Sequence, residues 1–211
     1  MHPALYAIRS TRYLGVVMPK PRLLLHACCG VCSAYVPELL MPDFEVSVFY
    51  ENSNIYPQEE FFRRRDAAKI MAESFSLPFI DAPYRPEDWA AAIHGYENEP
   101  ERGERCERCI AYRLDRTFAY AKVNGFDIVA TTLSVSRRKD AEMINLLGFT
   151  LALVHEIEFL GRDWKKANGE SLSQERAKAA GIYRQNYCGC KYSLPNKQNF
   201  NPSLSLPGST G

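Results

Sequence analysis

Seven cysteines fall in three tight groups, Cys28-Cys29-Gly30-Val31-Cys32, Cys106-Glu107-Arg108-Cys109 and Cys188-Gly189-Cys190. Isolated buried cysteines pack as small hydrophobes and scatter along a chain, whereas a CxxC brings two sulfurs close enough to share one metal or one disulfide. Each group supplies at most a few ligands and an iron-sulfur cluster usually takes four, so the fold must carry distant segments to one place. From spacing alone the groups suit a redox or iron-sulfur site, a structural zinc site, or ordinary core thiols, since CxxC serves both metals.

The 211 residues, 46% of them hydrophobic, suffice for one sizeable core. They divide into a single domain over residues 22–193, an N-terminal extension over 1–21 and a tail over 194–211, expected flexible from its Ser, Pro and Gly content. Met18 offers an alternative start. No stretch reaches the ~20 apolar residues of a membrane helix and the N-terminus lacks the apolar core of a secretory signal, so a cytoplasmic protein without membrane association is expected. In a reducing cytosol clustered cysteines bind metals or do chemistry more often than they form disulfide frameworks. The net charge of +1 says nothing about nucleic acid, because local clustering of basic side chains decides that.

Residues 22–27 (RLLLHA) read as a buried strand that delivers the first cysteine group at its C-terminal end, and Ser33 is placed to cap a following helix. Residues 44–50 (FEVSVFY) alternate as a second strand, broken by Asn52-Ser53-Asn54. Pro57 opens a long helix to about Phe75, residues 77–82 give a third strand, and a helix begins at Pro86. After a polar loop over 95–105, Cys106 opens a helix stopped by Asn124-Gly125. A fourth strand over 127–132 (DIVATT) precedes a helix that runs through Leu147 and ends at Gly148. Strands alternating with helices predict an α/β fold with a Rossmann-like, HUP-like parallel sheet and flanking helices.

In such sheets ligands bind beyond the carboxyl ends of the strands, where Cys28-Cys29 and residues 131–136 both fall, so a cysteine-lined metal site is expected at that edge. A CxxC at a helix start feels the positive end of the helix dipole and Arg102, Arg105 and Arg108, which favour the thiolate a metal requires; alternatively these arginines only solvate a loop. In Cys188-Gly189-Cys190 the glycine permits a turn that brings the sulfurs into disulfide range, and a short-loop disulfide is readily reduced. That suits a redox pair, with completion of a metal shell as the alternative.

The segments HACCGVCS from His26, YENSNIYP from Tyr50, ERCERC from Glu104, TTLSVS from Thr131 and QNYCGCKYS from Gln185 together resemble the epoxyqueuosine reductases of the QueH type, over about Arg22 to Ser193. Members of that family remove the epoxide oxygen of epoxyqueuosine at the tRNA wobble position, giving queuosine, with a 4Fe-4S cluster and a further iron and without cobalamin. The resemblance implies Cys28, Cys29, Cys106 and Cys109 as cluster ligands, Cys32 at the second iron, and Cys188 with Cys190 as a redox-active pair. For the proton donor the sequence offers His26, Tyr50 and Asp140, each with a plain structural alternative. Electrons are expected from a separate donor.

A tRNA substrate needs a basic surface, for which Arg63, Arg64 and Arg65, Arg137, Arg138 and Lys139, and Arg162 with Lys165 and Lys166 are available. The modified base is expected to be splayed out and stacked on an aromatic ring, with Tyr56, Tyr187 and Tyr192 as candidates. Two other readings stand beside the reductase. A nucleotide-dependent tRNA-thiolating enzyme would show a Gly-rich phosphate loop after the first strand, which CCGVCS is not. A zinc-stabilised RNA-binding module without catalysis would carry a closed, colourless zinc site.

Overall fold

The computed structural model of the chain describes residues 19–194; the extension up to Met18 and the tail from Pro195 lie outside the described residues. Five strands form one all-parallel sheet: β1 (Arg22–His26), β2 (Glu45–Tyr50), β3 (Phe79–Asp81), β4 (Ile128–Thr131) and β5 (Glu158–Phe159). Their order is β3-β2-β1-β4-β5, so the chain reverses its direction of travel across the sheet between β1 and β4. The helices are α1 (Val36–Leu40), α2 (Gln58–Ser74), α3 (Pro86–Ala92), α4 (Glu104–Val123), α5 (Ala141–His155) and α6 (Gly169–Ala179).

Strand β1 explains the layering. Paired on both edges, it places successive side chains on opposite faces. Leu23 and Leu25 pack with Val36, Ala67, Met71 and Ala177, contributed by α1, α2 and α6. Leu24 packs with Phe49, Phe118, Val129 and Phe159 on the other face, against α4. All three leucines are fully buried, and each contributes about 1.5–3 kcal/mol of transfer free energy.

The fold is the expected α/β sheet, with four corrections to the expected elements. Ser33 does not cap a helix: its hydroxyl donates to the Cys29 carbonyl at 2.9 Å, and α1 starts only at Val36 with Pro37 in its first turn. Helix α5 runs through Gly148 to His155 and stops where Glu156 takes a left-handed conformation, φ 54°. Gly148 is no stop; a Cβ there would meet Phe159 Cε1 at 2.2 Å, so the glycine exists to let α5 approach β5. Helix α6 buries only Gly169, Ser173 and Ala177, a stripe of small residues four apart that gives no apolar periodicity to read. Strand β5, with two residues, is too short to announce itself. Among the described residues no helix is long and apolar enough to cross a membrane.

Candidate metal centre and the cleft beside it

The carboxyl ends of β1 and β4 meet at the point where strand order reverses, the place an open α/β sheet offers a ligand. There the Thr132 hydroxyl oxygen accepts from the Cys28 amide at 3.0 Å and donates to Cys28 Sγ at 3.4 Å, tying the first cysteine to the end of β4. Cys28, Cys29 and Cys32 bring their sulfurs within 4.8 Å of one another. Cys29 Sγ accepts from the Cys32 amide at 3.4 Å and lies 3.9 Å from Cys28 Sγ.

Such crowding decides how the trio carries charge. Hydrogen bonds from Cys28 and Cys32 hold the Cys29 thiol well below its ordinary value; contacts with both neighbours push Cys32 well above it, and the Cys29 contact, aided by burial, pushes Cys28 upward against an opposing one from Cys32. Three adjacent sulfurs cannot all ionise unaided, whereas a soft cation would neutralise all three at once. The donor set, three convergent sulfurs with no carboxylate among them, fits iron, an iron-sulfur cluster or zinc. These cysteines could therefore bind a metal.

Beneath the trio is a buried polar network that sequence reasoning missed. His26 is fully buried; its Nδ1 accepts from the Thr131 hydroxyl at 2.8 Å and its Nε2 donates to the Glu51 carbonyl at 3.0 Å, an assignment that satisfies both nitrogens. Burial, with the Arg113 guanidinium nearby, lowers its pKa to about 3. Asn52 Nδ2 donates to the Ala27 carbonyl at 2.8 Å, and Arg113 donates to Asn52 Oδ1. Glu51 accepts from the Ser53 hydroxyl at 2.6 Å and from Arg116 Nε at 2.9 Å. Asn52 was legible as a strand breaker, but nothing in its sequence context shows that its amide ties β1 to α4.

The second and third cysteine groups meet through Cys109 and Cys190. Cys109 packs with Cys190, Trp89, Ile93 and Tyr192, and burial pushes its thiol up to about 11. Cys106, in the first turn of α4, accepts from the Arg102 amide at 3.2 Å. The arginines around this CxxC work on the preceding loop: Arg105 donates to the Glu97 carbonyl at 2.7 Å and to that of Glu99, and Arg108 donates to Tyr96 Oη at 2.6 Å while stacking on that ring. All seven cysteines are free thiols.

The Cys188-Gly189-Cys190 segment has no regular structure of its own and is pinned by side chains. Arg64, 2% exposed, donates to the Cys188 carbonyl at 2.9 Å, to that of Tyr187 at 3.3 Å and to Glu60 at 2.7 Å. The Tyr56 amide donates to the Gly189 carbonyl at 2.8 Å. Gly189 has φ 134°, and a Cβ on it would meet Arg64 Nη1 at 3.0 Å and Ile55 Cγ1 at 3.2 Å, so conformation and space both demand glycine.

A cleft of about 730 Å³ lies over these parts, lined among others by Cys28, Cys32 and Cys188 and by Arg64, Arg113, Arg137, Arg138 and Lys139. Three of its residues, Asn54 (3% exposed), Ser173 (fully buried) and Gln185, each carry a buried oxygen with no partner, an arrangement that side chains seldom tolerate without a ligand or water. The basic residues named from sequence divide into exposed and buried or half-buried ones. Arg63 is exposed and stacks on Tyr183; Arg137 is exposed and paired with Glu170; Arg138 and Lys166 are exposed. Arg64 is not a phosphate contact on the surface, because burial and its three acceptors commit it to holding the Cys188 segment. Lys165 donates to the Lys139 carbonyl at 3.3 Å and pairs with Asp163 at 3.1 Å.

Of the residues named for proton donation, Tyr50 is buried with its hydroxyl donating to the Phe61 carbonyl at 3.1 Å. Asp140 caps α5, accepting from the Glu142 and Met143 amides. Of the stacking candidates, Tyr187 lines the cleft and stacks under Arg64, Tyr56 is 44% exposed, and Tyr192 packs against Trp89 and Arg105.

Comparison with known proteins gives one consistent result. Residues 23–196 match the family model described as "Epoxyqueuosine reductase QueH". The protein of that name from Acinetobacter baylyi is 39% identical over 175 residues, covering 82% of this chain and 80% of its own length. Its counterpart from Streptococcus pyogenes is 37% identical over 180 residues, 82% of this chain and 71% of its own, and that from Thermotoga maritima 34% over 189 residues, 87% and 95%.

Proposed function

The chain belongs to the epoxyqueuosine reductase QueH family, and from that premise we propose how its cleft does the work of a reductase of queuosine biosynthesis. It is an oxidoreductase that removes the epoxide oxygen of epoxyqueuosine. The substrate is tRNA carrying epoxyqueuosine at the wobble position, the product is queuosine, and electrons arrive from a separate donor. The single observation that carries the site assignment is the convergence of Cys28, Cys29 and Cys32 at the strand-order reversal, opening into the same cleft as Cys188.

A 4Fe-4S cluster is held with Cys28, Cys29, Cys106 and Cys109 as ligands, and Cys32 serves a further iron. Mutual approach supports the three sulfurs of the first group; the family resemblance alone supports Cys106 and Cys109. Such a cluster, when bound, supplies electrons one at a time, and a neighbouring iron supplies a Lewis acid. Around it the chain's own residues hold the chemistry in place: Thr132 fixes Cys28, Arg64 fixes Cys188, and the neutral His26 supports the loop from below. Cys188 and Cys190 act as the redox pair.

The exposed Arg63, Arg137, Arg138 and Lys166 bind tRNA phosphates, and the orphaned oxygens of Asn54 and Ser173 accept from the nucleoside once it is splayed into the cleft. The catalytic domain spans residues 22–193 and works in the cytoplasm.

The test is anaerobic incubation of the protein with tRNA bearing epoxyqueuosine and a reductant, read by nucleoside mass spectrometry for loss of one oxygen. Iron and acid-labile sulfide are assayed on the same sample. Turnover with about four sulfides and four or five irons per chain is expected. Stoichiometric zinc without sulfide or turnover, on protein shown not to have lost a cluster, would instead establish a zinc-bound RNA-binding module. A Cys32→Ala protein with full iron and full turnover would remove the second iron.

A further inference from the structure

Lys139 Nζ lies 3.1 Å from Cys188 Sγ, inside the cleft. Its backbone is locked from both sides. The amide donates to the Ser136 carbonyl at 3.0 Å, the carbonyl accepts from Lys165 Nζ at 3.3 Å, and the next residue, Asp140, caps α5. A lysine that grips phosphate stands in solvent on a mobile stem; this one is half-buried with its head on a sulfur. Burial works against its charge, but the facing Cys188 sulfur outweighs that, with Arg113 opposing and Cys109 assisting, and the ammonium is held above the ordinary lysine range.

Other donors near the trio are committed. His26 is neutral with both nitrogens engaged, Tyr50 is sealed in the core, Asp140 is a helix cap, and Lys165 is shared between Asp163 and main-chain oxygens. The relay argued next rests on the reductase reading above. We propose that Lys139 is a proton-relay residue of the reduction, passing its ammonium proton to the departing epoxide oxygen as the Cys188–Cys190 pair is oxidised.

The step balances. Converting an epoxide to an alkene breaks both carbon–oxygen bonds and releases water, consuming two electrons and two protons. Two cysteines closing to one disulfide lose two electrons and two protons. Lys139 hands one proton to the oxygen as the first bond breaks and recovers one that the pair releases as the disulfide closes, so it ends as it began. An ammonium that stays charged through the physiological range donates only to a strong base, and the alkoxide formed on ring opening is one.

The experiment is a single turnover on the anaerobic holoenzyme with tRNA bearing epoxyqueuosine. It is run for the wild-type chain, Lys139→Met and Lys139→Arg, with and without added ethylamine. Oxygen removal is read by nucleoside mass spectrometry and the Cys188–Cys190 disulfide by differential alkylation. The relay requires that Lys139→Met slow the saturated rate by roughly 100-fold or more, within the range of proton-transfer catalysis, with half-saturating tRNA unchanged and iron and sulfide intact. Ethylamine should restore part of that rate, and Lys139→Arg, charged but a poor acid, should stay slow.

A rise in half-saturating tRNA with a salt slope shallower by about one and an intact rate would make Lys139 a phosphate contact and overturn the relay. So would a rate loss that tracks iron loss and no amine restores, or full activity in Lys139→Arg, which decides the matter if Lys139→Met fails to fold. A wild-type chain that removes no oxygen sinks the reductase reading itself, a failure that Lys139 variants play no part in.

Discussion

Replacing Arg64 by Met tests whether the Cys188 segment depends on one buried guanidinium. Arg64 makes a charge-assisted contact to Glu60 at 2.7 Å and closes two carbonyls, those of Cys188 at 2.9 Å and Tyr187 at 3.3 Å. Methionine fills much of the volume but leaves Glu60, whose side chain is 7% exposed, without its closest cation. Breaking a buried pair by removing one partner costs about 3–5 kcal/mol. The Tyr183 hydroxyl, donating to Glu60 at 2.9 Å, persists and places the expectation near the lower end, about 3 kcal/mol. For a domain of this size that lowers the thermal midpoint by roughly 6–12 °C. The assay is anaerobic thermal unfolding followed by the fluorescence of Trp89 and Trp164, with alkylation of Cys188 and Cys190 by iodoacetamide measured in parallel. The unpinned segment should alkylate faster, and Lys should replace Arg poorly because it lacks the forked geometry that reaches two carbonyls and a carboxylate together. Arg63→Met, at an exposed position, should leave the midpoint unchanged. An Arg64→Met midpoint within a degree of wild type, or Arg63→Met matching its loss, would refute the reasoning.

Three further outcomes follow from the geometry. The folded chain keeps His26 neutral down to about pH 3 while an unfolded chain protonates it below about 6.5, so stability falls as pH drops through that window by up to about 1.4 kcal/mol per unit. His26→Gln should flatten the fall in thermal midpoint between about pH 6.5 and 5, and an unchanged slope would mean that the imidazole is not the group responsible. Gly148→Ala adds roughly 1 kcal/mol of helix propensity but drives a Cβ to 2.2 Å from the Phe159 ring, costing about 1–3 kcal/mol, so the variant should lose stability and regain it with Phe159→Leu; a more stable Gly148→Ala would show that the ring moves freely. Arg138→Gln on the rim should weaken tRNA binding and reduce the salt slope by about one without changing the saturated rate, and a slope that does not move would take Arg138 out of the phosphate contacts.

How far the sequence carries depends on which term fixes each element. The central strands were legible to within a residue or two because a parallel strand covered on both faces is a continuous apolar run, as Leu23, Leu24 and Leu25 are. Gly148 was misread because a glycine kept for close packing looks the same in sequence as one that ends a helix, and only Phe159 across the gap tells them apart. Helix α6 was invisible because small residues, with no apolar signal, are what let it approach the core. At the site the cysteines were legible by type and Gly189 by its need for a turn. Arg64 and Lys139 were readable only as members of basic triplets, since a run of like residues hides which one points inward.

The placement of the two sulfur groups separates what each depends on. Cys28, Cys29 and Cys32 follow the end of β1, Thr132, the first residue after β4, fixes Cys28, and the Cys32 amide donates to Cys29, so their positions are set from the sheet. Cys188 and Cys190 belong to no strand or α-helix and are held by Arg64, the Tyr56 amide and Ser193. A redox pair must change its sulfur–sulfur distance as it opens and closes, whereas a metal's ligands must keep theirs. Anchoring one group on the sheet and the other on side-chain hydrogen bonds lets both requirements hold around a single cleft, and the lysine that touches Cys188, Lys139, is fixed by its backbone and free only along its side chain.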